Sequence, residues 1–304
     1  MDSLAPLIAS SINAGTPLML AALGLLINEK SGVVNLGAEG MMLVAAVVGF
    51  ATTVTTGSVT LGFVCGALAG MLLAGFFALL TVWLGTNQYA TGLALSLFGG
   101  GASAYIGIKY VGNSLENPRF AVPFLSDIPF VGTAFFRQHP MVYFSILLCG
   151  AIIWFLYRTR AGLVLRAVGE SPTSAHSLGY DVRLIRLGAL LFGGACCGLA
   201  GAFLSLVYTP LWVEGMVAGR GWIALALTTF ATWRPARVLI GAYLFGGVTI
   251  LTFHVQGLGV AIDSQLLSML PYLATIVVLV LISTNANWIK LNMPASLGKN
   301  FNPG

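Results

Sequence analysis

The sequence contains little charge. Charged residues make up 8% of its 304 residues, whereas an ordinary soluble domain carries about 25%. Hydrophobic residues make up 58% of the chain, and its mean hydropathy is +0.93. This composition argues against a soluble enzyme. It predicts an all-α polytopic membrane protein, because apolar runs of about 20 residues cross a bilayer as helices.

Residues that bind metals or perform catalysis are also scarce. The three histidines lie far apart in sequence, and the four cysteines lie in apolar runs without CxxC spacing. The chain has no GxxxxGK[ST] phosphate loop, no GxSxG elbow and no HExxH motif. We therefore expect no metal site, no catalytic group and no ATP hydrolysis by this chain. The net charge of +5 indicates membrane topology rather than a nucleic-acid partner.

Apolar runs predict about nine transmembrane or re-entrant helices. The run at 222–233 is short for a full span, so it is expected to be tilted or re-entrant. The predicted segments are, with approximate bounds, 4–27, 41–56, 58–84, 89–111, 141–157, 187–208, 222–233, 238–254 and 266–284. The chain is interpreted as one transmembrane domain, 1–304, with a first half at about 4–157, a loop at 158–186, a second half at about 187–284 and a tail at 285–304.

Small residues recur four positions apart inside two of these segments. Gly66 and Gly70 form one such pair, and Gly194 and Gly198 form another. Pairs of this kind let helix backbones approach closely in lipid, where apolar burial does not drive association. We interpret these glycines as packing residues.

The distribution of arginine and lysine predicts the orientation. Loop 157–186 contains five arginines, whereas the long loop 112–140 balances two arginines with two acidic residues. The positive-inside rule then places loop 157–186 in the cytoplasm and loop 112–140 outside. Counting spans from there puts Lys30, the segment RPAR at 234–237 and the C-terminal tail inside, with the N-terminus outside.

A repeated tripeptide indicates an inverted-topology repeat. Glu-Gly-Met occurs at 39–41 and again at 214–216, each time after a full span and before another apolar run. The first copy follows an outside-to-inside span and the second an inside-to-outside span, as in transporters with broken helices. Glu39 is expected where a broken helix turns, and two roles are open for it. It either caps the helix that follows or lies in a substrate path, and the same alternatives hold for Glu214.

The most basic loop contains a predicted short helix. Ser171 is suited to the N-cap, Pro172 to the first helical position and Gly179 to the stop. This predicts a helix at about 172–178, after which Asp181 caps the next membrane helix. An ordinary surface turn is the alternative, but a helix fixed at both ends is suited to contacting a partner.

Four segments resemble the permeases of bacterial ABC importers for ribose, other simple sugars, branched-chain amino acids and nucleosides. They are INEKSGVVNLGAEGMMLVAA, GTNQYATGLALSLFG, RAVGESPTSAHSLGYDV and GRGWIALALTTFATWRP. The resemblance covers about residues 4–284 and is closest to a permease subunit of nucleoside-uptake systems. The matching positions are Val34, Asn35, Gly37, Glu39, Gly40, Met41 and Met42, followed by Asn87, Gln88, Gly92 and Leu93.

The resemblance implies that this chain works in a complex of several different proteins. Two related permeases, here expected to be different chains, form a pore in the bacterial inner membrane. An extracytoplasmic binding protein or lipoprotein delivers the substrate. Cytoplasmic ATPase subunits bind ATP and Mg²⁺ and push on a coupling helix, so this chain itself needs no cofactor.

The resemblance also implies roles for individual residues. For Asn87, Gln88 and Thr91, capping of a loop between spans is the alternative role. Side chains expected along the substrate path are Asn35, Glu39, Asn87, Gln88, Thr91, Trp212 and Glu214. Residues expected to couple to the ATPase are Ser171, Pro172, Ala175, His176, Leu178 and Gly179, with Ala175 and Leu178 on one contact face.

Three other functions stay open at this point. A simple-sugar permease shares the same scaffold as a nucleoside permease. A secondary transporter would usually carry ionisable groups at the centres of its long spans, and this sequence has none there. A membrane receptor or scaffold would not need the repeat or the short cytoplasmic helix.

Overall fold

The computed structural model describes residues 4–116, 130–257 and 292–302, together with the single residues Phe120, Pro123, Leu125, Ser126, Ile128, Leu266, Met269, Leu270, Leu273, Ile276, Val277 and Val280. The regular secondary structure of this part of the chain is helical, apart from one isolated bridge between Ser114 and Leu211. Its α-helices are α1 (Leu4–Lys30), α2 (Ala38–Thr56), α3 (Val59–Ala78), α4 (Gln88–Gly107), α5 (Val131–Phe135), α6 (Pro140–Arg158), α7 (Arg160–Glu170), α8 (Pro172–Ser177), α9 (Val182–Phe203), α10 (Arg220–Phe230) and α11 (Pro235–Gly257).

Seven of the described helices are long and apolar enough to cross a membrane. They correspond to the seven long runs predicted before residue 258, which confirms an all-α polytopic membrane protein. The short run predicted at 222–233 forms the 11-residue helix α10, which is too short for a full span. The ninth predicted segment, 266–284, lies largely outside the described residues, so the count of nine stays a prediction.

Helices α3 and α9 form the most extensive helix pair in the described part of the chain. Their backbones are so close that a Cβ atom at Gly70 would lie 2.2 Å from the carbonyl oxygen of Gly194. A Cβ at Gly198 would lie 2.4 Å from the carbonyl oxygen of Gly66. The two glycine pairs therefore face each other across one interface, which confirms their interpretation as packing residues.

The next most extensive pair is α1 with α11, and it is built in the same way. A Cβ at Gly246 would lie 2.8 Å from the Cα atom of Gly15. If α1 of the first half is matched with α9 of the second half, and α3 with α11, the α1–α11 pair corresponds to the α9–α3 pair. This is the relation expected between the halves of an inverted repeat.

One end of the bundle, which we call the basic face, brings together the end of α1, helices α7 and α8, the start of α9 and the tail 292–302. Lys30 Nζ donates to the carbonyl oxygen of Asn292 at 2.8 Å, and the amide of Ser296 donates to the carbonyl oxygen of Gly169 at 3.0 Å. Arg186 donates through Nε to the carbonyl oxygen of Ser31 at 3.2 Å. The basic loop, Lys30 and the tail thus lie at the same end of the bundle.

Candidate functional site

The two interruptions of the helical layer meet at Glu39. Residues 31–37 separate α1 from α2 and are called the first break, and residues 209–219 precede α10 and are called the second break. Glu39, in the first turn of α2, accepts hydrogen bonds through its two carboxylate oxygens. Gly219 N–H donates to Oε1 at 2.8 Å and Gly221 N–H donates to Oε2 at 2.7 Å. The side chain therefore joins the first half of the chain to the second.

The bonding pattern follows from the chemistry of a helix N-terminus. The first N–H groups of α10 have no partner within the helix, and they carry a partial positive charge that favours a carboxylate. Helix α2 begins after Gly37, which provides no side-chain cap. Glu39 thus caps α10, from the opposite half, rather than the N-terminus of its own helix.

Gly221 makes this junction sterically possible. A Cβ atom at this position would lie 2.6 Å from Cα of Glu39, closer than real side chains pack. A larger residue would push α10 away from α2 and lengthen both hydrogen bonds to the carboxylate. The segment Gly-Arg-Gly at 219–221 is therefore matched to Glu39.

The junction lies well inside the helical layer. Val34, in the first break, donates its N–H to Oε1 of Gln88 at the start of α4, at 2.9 Å. Gly40 lies against Gly99 of the same helix, where a Cβ would be 2.5 Å from the carbonyl oxygen of Gly40. Eleven residues separate the two positions on α4, which corresponds to about 16 Å along the helix axis. Gln88 also binds Asn300 of the tail, so the start of α4 lies at the basic face. Glu39 is thus about half the thickness of the hydrocarbon core of a bilayer away from the basic face.

A second glutamate holds the other end of α10. Glu29, on the last turn of α1, is 3% exposed and accepts a hydrogen bond from Oγ1 of Thr228 at 3.0 Å. It also accepts a hydrogen bond from the indole N–H of Trp233. The short helix α10 is therefore bound at both ends by carboxylates of the first half. Sequence reasoning missed Glu29 because a charged pair after an apolar run is typical of a membrane-interface terminus.

Two of the predicted path residues are buried and have internal partners. Asn35 accepts a hydrogen bond from Gly37 N–H through Oδ1 at 3.0 Å, which folds the first break into a tight turn. Gln88 binds Val34 through Oε1 and donates through Nε2 to Oδ1 of Asn300 at 3.1 Å. Both side chains therefore shape the first break.

Asn87 and Thr91 are more accessible. Asn87 is exposed and is the N-cap of α4, where Oδ1 accepts from the backbone N–H groups of Tyr89 and Ala90 at 3.0 Å each. Thr91 shares a hydrogen bond with Thr86, with 2.9 Å between the hydroxyl oxygens. The capping role weighed for Asn87 is therefore present in the structure, whereas Thr91 ties the loop before α4 to its first turn.

The two path residues of the second half lie in different surroundings. Trp212 is 4% exposed and packs with Phe50 and Phe203. Its indole nitrogen has no hydrogen-bond partner among the described residues. Glu214 is exposed and lies six residues before the start of α10. The second Glu-Gly-Met copy therefore does not begin a helix, and its glutamate is not equivalent in position to Glu39.

Arg220, which the sequence analysis passed over, is the charged residue beside the Glu39 junction. It donates through one terminal guanidinium nitrogen to the carbonyl oxygens of Met216 at 3.1 Å and Val217 at 3.2 Å. Its guanidinium carbon lies 5.4 Å from the centre of the Tyr208 ring. It also lines a cavity of about 340 Å³ with residues of α1 and α11. An arginine between two apolar runs is a sequence signal that could have identified it.

Helix α8 on the basic face matches the predicted short helix. It spans Pro172–Ser177, and Oγ of Ser171 accepts from the N–H of Ser174 as its N-cap. Gly179 has a φ of +88°, the left-handed conformation expected for the stop. Oδ1 of Asp181 accepts from the N–H of Leu184 and caps α9. The local structure of this loop is therefore confirmed.

The shared contact face predicted for Ala175 and Leu178 is wrong. Ala175 is 3% exposed and packs against Val168 and Val182, whereas Leu178 is 78% exposed. The helix ends at Ser177, so the three-residue helical spacing does not apply to the pair. Ala175 is the buried residue of α8, whereas Thr173, Ser174, His176 and Ser177 of the same helix and Leu178 after it are exposed.

Within residues 4–116, 130–257 and 292–302 no group of three or more His, Cys, Asp or Glu side chains is arranged to hold a metal ion. The groups that meet at the junction are the Glu39 carboxylate, the backbone N–H groups of Gly219 and Gly221 and the neighbouring Arg220 side chain. Such groups bind and orient polar solutes by hydrogen bonding.

Comparisons with known proteins agree with this arrangement. The family described as branched-chain amino acid transport system, permease component, matches residues 7–282. The chain is 41% identical to the putative glucose ABC transporter permease protein TsgC13 of Haloferax volcanii, over 99% of both chains. It is 31% identical to the nucleoside ABC transporter permease protein NupC of Lactococcus lactis subsp. cremoris, over 92% of this chain and 93% of the relative.

A third relative is the guanosine ABC transporter permease protein NupQ of Bacillus subtilis, 29% identical over 90% of both chains. No solved structure matches the chain. The family match covers most of the sequence and includes both breaks and all seven long helices. The chain therefore belongs to this family of multi-pass membrane permeases, the transport subunits of ABC transporters, whose ATP is bound by a separate ATPase.

Proposed function

We propose that this chain forms one half of the transmembrane pathway of an ATP-driven importer for nucleosides. The observation that carries the proposal is the junction at Glu39. There, two interrupted segments from opposite halves of the chain are joined near the middle of the helical layer. Irregular backbone at this depth is tolerated where protein or a water-filled cavity covers it, and such breaks mark the substrate sites of many transporters.

The polar groups near the breaks suit an uncharged, hydroxyl-rich solute. Asn87 and Thr91 are the accessible ones, and their side chains offer donors and acceptors, which sugar hydroxyls and base edges both require. Asn87 and Glu214 are exposed in the single chain and are proposed to face the path between this permease and a second one. Asn35, Gln88 and Trp212 are buried and are proposed to hold the walls of the path in place.

A simple sugar is the second candidate substrate. The relative that is 41% identical over 99% of both chains is named as a putative glucose permease, while relatives at 31% and 29% identity are named for nucleosides and guanosine. Both solute classes contain a polyhydroxylated ring, so a path lined by amides and hydroxyls accepts either one. The binding protein that delivers the solute is proposed to make most of the selection.

The orientation proposal places the basic face in the cytoplasm. The arginines of the loop 158–186, Lys30 and the tail lie at this end, as the positive-inside rule requires of cytoplasmic segments. The N-terminus is then outside and the C-terminus inside the cytoplasmic membrane of a bacterium. Helix α8 is proposed as the coupling helix that contacts the ATPase, with exposed Leu178 at the contact.

Transport by the reconstituted complex tests the proposal. The permease pair, its ATPase and its binding protein would be placed in vesicles with labelled guanosine, and competition by ribose, glucose and leucine would be measured. We expect uptake that requires ATP and falls with excess unlabelled nucleoside but not with leucine. In a parallel assay, ATP-dependent uptake of labelled glucose without uptake of labelled guanosine would favour the sugar function. Uptake driven by an ion gradient without ATP would overturn the importer assignment.

A further inference from the structure

The tail 292–302 is attached on the basic face to the first half of the molecule and to the loop 158–186. Ser296 donates through Oγ to the carbonyl oxygen of Gly169 at 2.6 Å and accepts a hydrogen bond from Arg186 at 3.3 Å. Gly298 donates its N–H to the carbonyl oxygen of Gly32 in the first break at 3.1 Å. Asn300 donates through Nδ2 to the carbonyl oxygen of Gly85 at 2.6 Å. These bonds give the tail a defined course across the basic face.

The course of the tail brings Phe301 to α8. The Phe301 ring meets the His176 ring edge-on, with 5.6 Å between the ring centres. Phe301 also packs with the small apolar cluster of Val168, Ala175 and Val182 beneath α8. The aromatic ring is therefore built into the same surface as the proposed coupling helix.

A pocket of about 280 Å³ opens at this place. Its lining comes from the end of α8, the turn before α9 and the tail: His176, Gly179, Tyr180, Asp181, Arg183 and Phe301. Nε of Arg183 is buried and has no hydrogen-bond partner among the described residues. Asp181, the acidic residue in the lining, is engaged as the cap of α9. The Arg183 side chain lines the pocket and is partly exposed, so its guanidinium group can donate to an oxygen acceptor of a partner.

We propose that the tail 292–302 is part of the ATPase-docking surface, and that the Phe301 pocket receives an apolar or aromatic side chain of the ATPase with an oxygen acceptor for Arg183. The proposal rests on the proposed function, since it requires that α8 contacts the ATPase. Leu178 is exposed close to the pocket in sequence, and Tyr180 in the pocket lining is exposed too, so the docking surface is continuous. The arginines of this loop match a partner surface with acidic or carbonyl oxygens.

Site-specific photo-crosslinking in the assembled transporter tests the proposal. A benzoylphenylalanine residue would replace Phe301 in one variant, Leu178 in a second and Asn113, at the opposite end of the bundle, in a third. We expect the first two variants to form an adduct with the ATPase and the third to form none. An adduct from position 178 without one from position 301 would overturn the proposed role of the tail and leave the proposed coupling role of α8 unaffected. Absence of both adducts in a complex that still couples ATP to uptake would overturn both proposals.

The affinity of the permease for the ATPase gives a second test of the proposal. Truncation of a central aromatic contact typically weakens an interface by more than 1 kcal/mol, so Phe301→Ala should raise the dissociation constant of the ATPase by about tenfold. Arg183→Gln should weaken binding in the same direction. Asn302→Ala, at the exposed neighbouring position, is the matched control and should leave the constant unchanged. Equal affinity of Phe301→Ala and the control would count against the proposal.

Discussion

Oε2 of Glu39 lies 2.7 Å from the backbone nitrogen of Gly221, and the two residues are 182 positions apart in sequence. The contact joins the first turn of a full-length helix to the first turn of a half-length one. Since the same carboxylate also binds Gly219, any movement of α10 relative to α2 breaks two charge-assisted hydrogen bonds. The junction therefore fixes the relative position of the two breaks.

Replacement of Glu39 by glutamine should weaken this junction. The amide keeps one acceptor oxygen, but its NH₂ group would face a backbone N–H, so one of the two bonds is lost. Hydrogen bonds to charged groups contribute about 1.5–3 kcal/mol each. We expect the free energy of unfolding in detergent to fall by about 2 kcal/mol and ATP-driven uptake to fall with it.

Glu214→Gln is the matched control for stability, because Glu214 is exposed and lies outside any helix. Its unfolding should be indistinguishable from that of the unaltered chain. If Glu39→Gln unfolds like the control and transports normally, the junction contributes neither to stability nor to transport as described.

The α3–α9 interface predicts a strong effect at Gly70. A Cβ there would lie 2.2 Å from the carbonyl oxygen of Gly194, which belongs to the backbone and has no freedom to rotate away. Gly70→Ala should therefore push the helices apart and cost about 1–3 kcal/mol of stability, as overpacking does. Thermal unfolding of the purified protein would measure the loss.

Gly101→Ala is the comparison variant, because a Cβ at Gly101 meets nothing within 4 Å. It should be neutral or slightly stabilising, since alanine is the better helix former by about 0.5–1 kcal/mol. Equal behaviour of the two alanine variants would contradict the close approach of α3 and α9.

The bond between Trp233 and Glu29 predicts a local effect at the other end of α10. Trp233→Phe removes an indole donor and leaves the buried carboxylate of Glu29 with Thr228 as its remaining side-chain donor among the described residues. Loss of one partner of a buried charged group costs about 1–3 kcal/mol. Hydrogen exchange of the amides in α10 should become faster, while exchange in α3 and α9 should stay unchanged.

Trp154→Phe makes the same chemical change at a position that is 64% exposed. It should leave the exchange of α10 as it was. Slow, unaltered exchange of α10 in Trp233→Phe would show that Glu29 does not anchor this helix.

The sequence was sufficient for features that depend on neighbouring residues. Hydropathy located the seven long helices, because each has to satisfy its own backbone in lipid. Capping chemistry located α8 to within one residue, since Ser171, Pro172 and Gly179 act on bonds only a few positions away. The glycine pairs at 66, 70, 194 and 198 indicated close packing, although not that they pack against each other.

Features that depend on distant partners could not be predicted. The binding of Glu39 to Gly219 and Gly221 depends on the packing of α10 against α2, which no local pattern encodes. The same holds for Glu29 and for the course of the tail. A shared face for Ala175 and Leu178 requires helical spacing beyond Ser177, where the helix ends. The burial of Ala175 depends on Val168 and Val182, which belong to the flanking helices.

Cysteine labelling tests the proposed orientation of the whole assembly. Asn113 is exposed at the end of the bundle opposite the basic face, and Ser174 is exposed on α8. Three of the native cysteines, Cys149, Cys196 and Cys197, are buried, so a background in which half-buried Cys65 is replaced by alanine should label weakly. In that background an impermeant thiol reagent should modify the Asn113→Cys variant in intact cells. The reagent should modify the Ser174→Cys variant only after the membrane is opened, because the positive-inside rule places the arginine-rich end of the bundle in the cytoplasm. Reversed labelling would place the basic face outside, where no cytoplasmic ATPase could reach α8, and would overturn the orientation and the coupling role together.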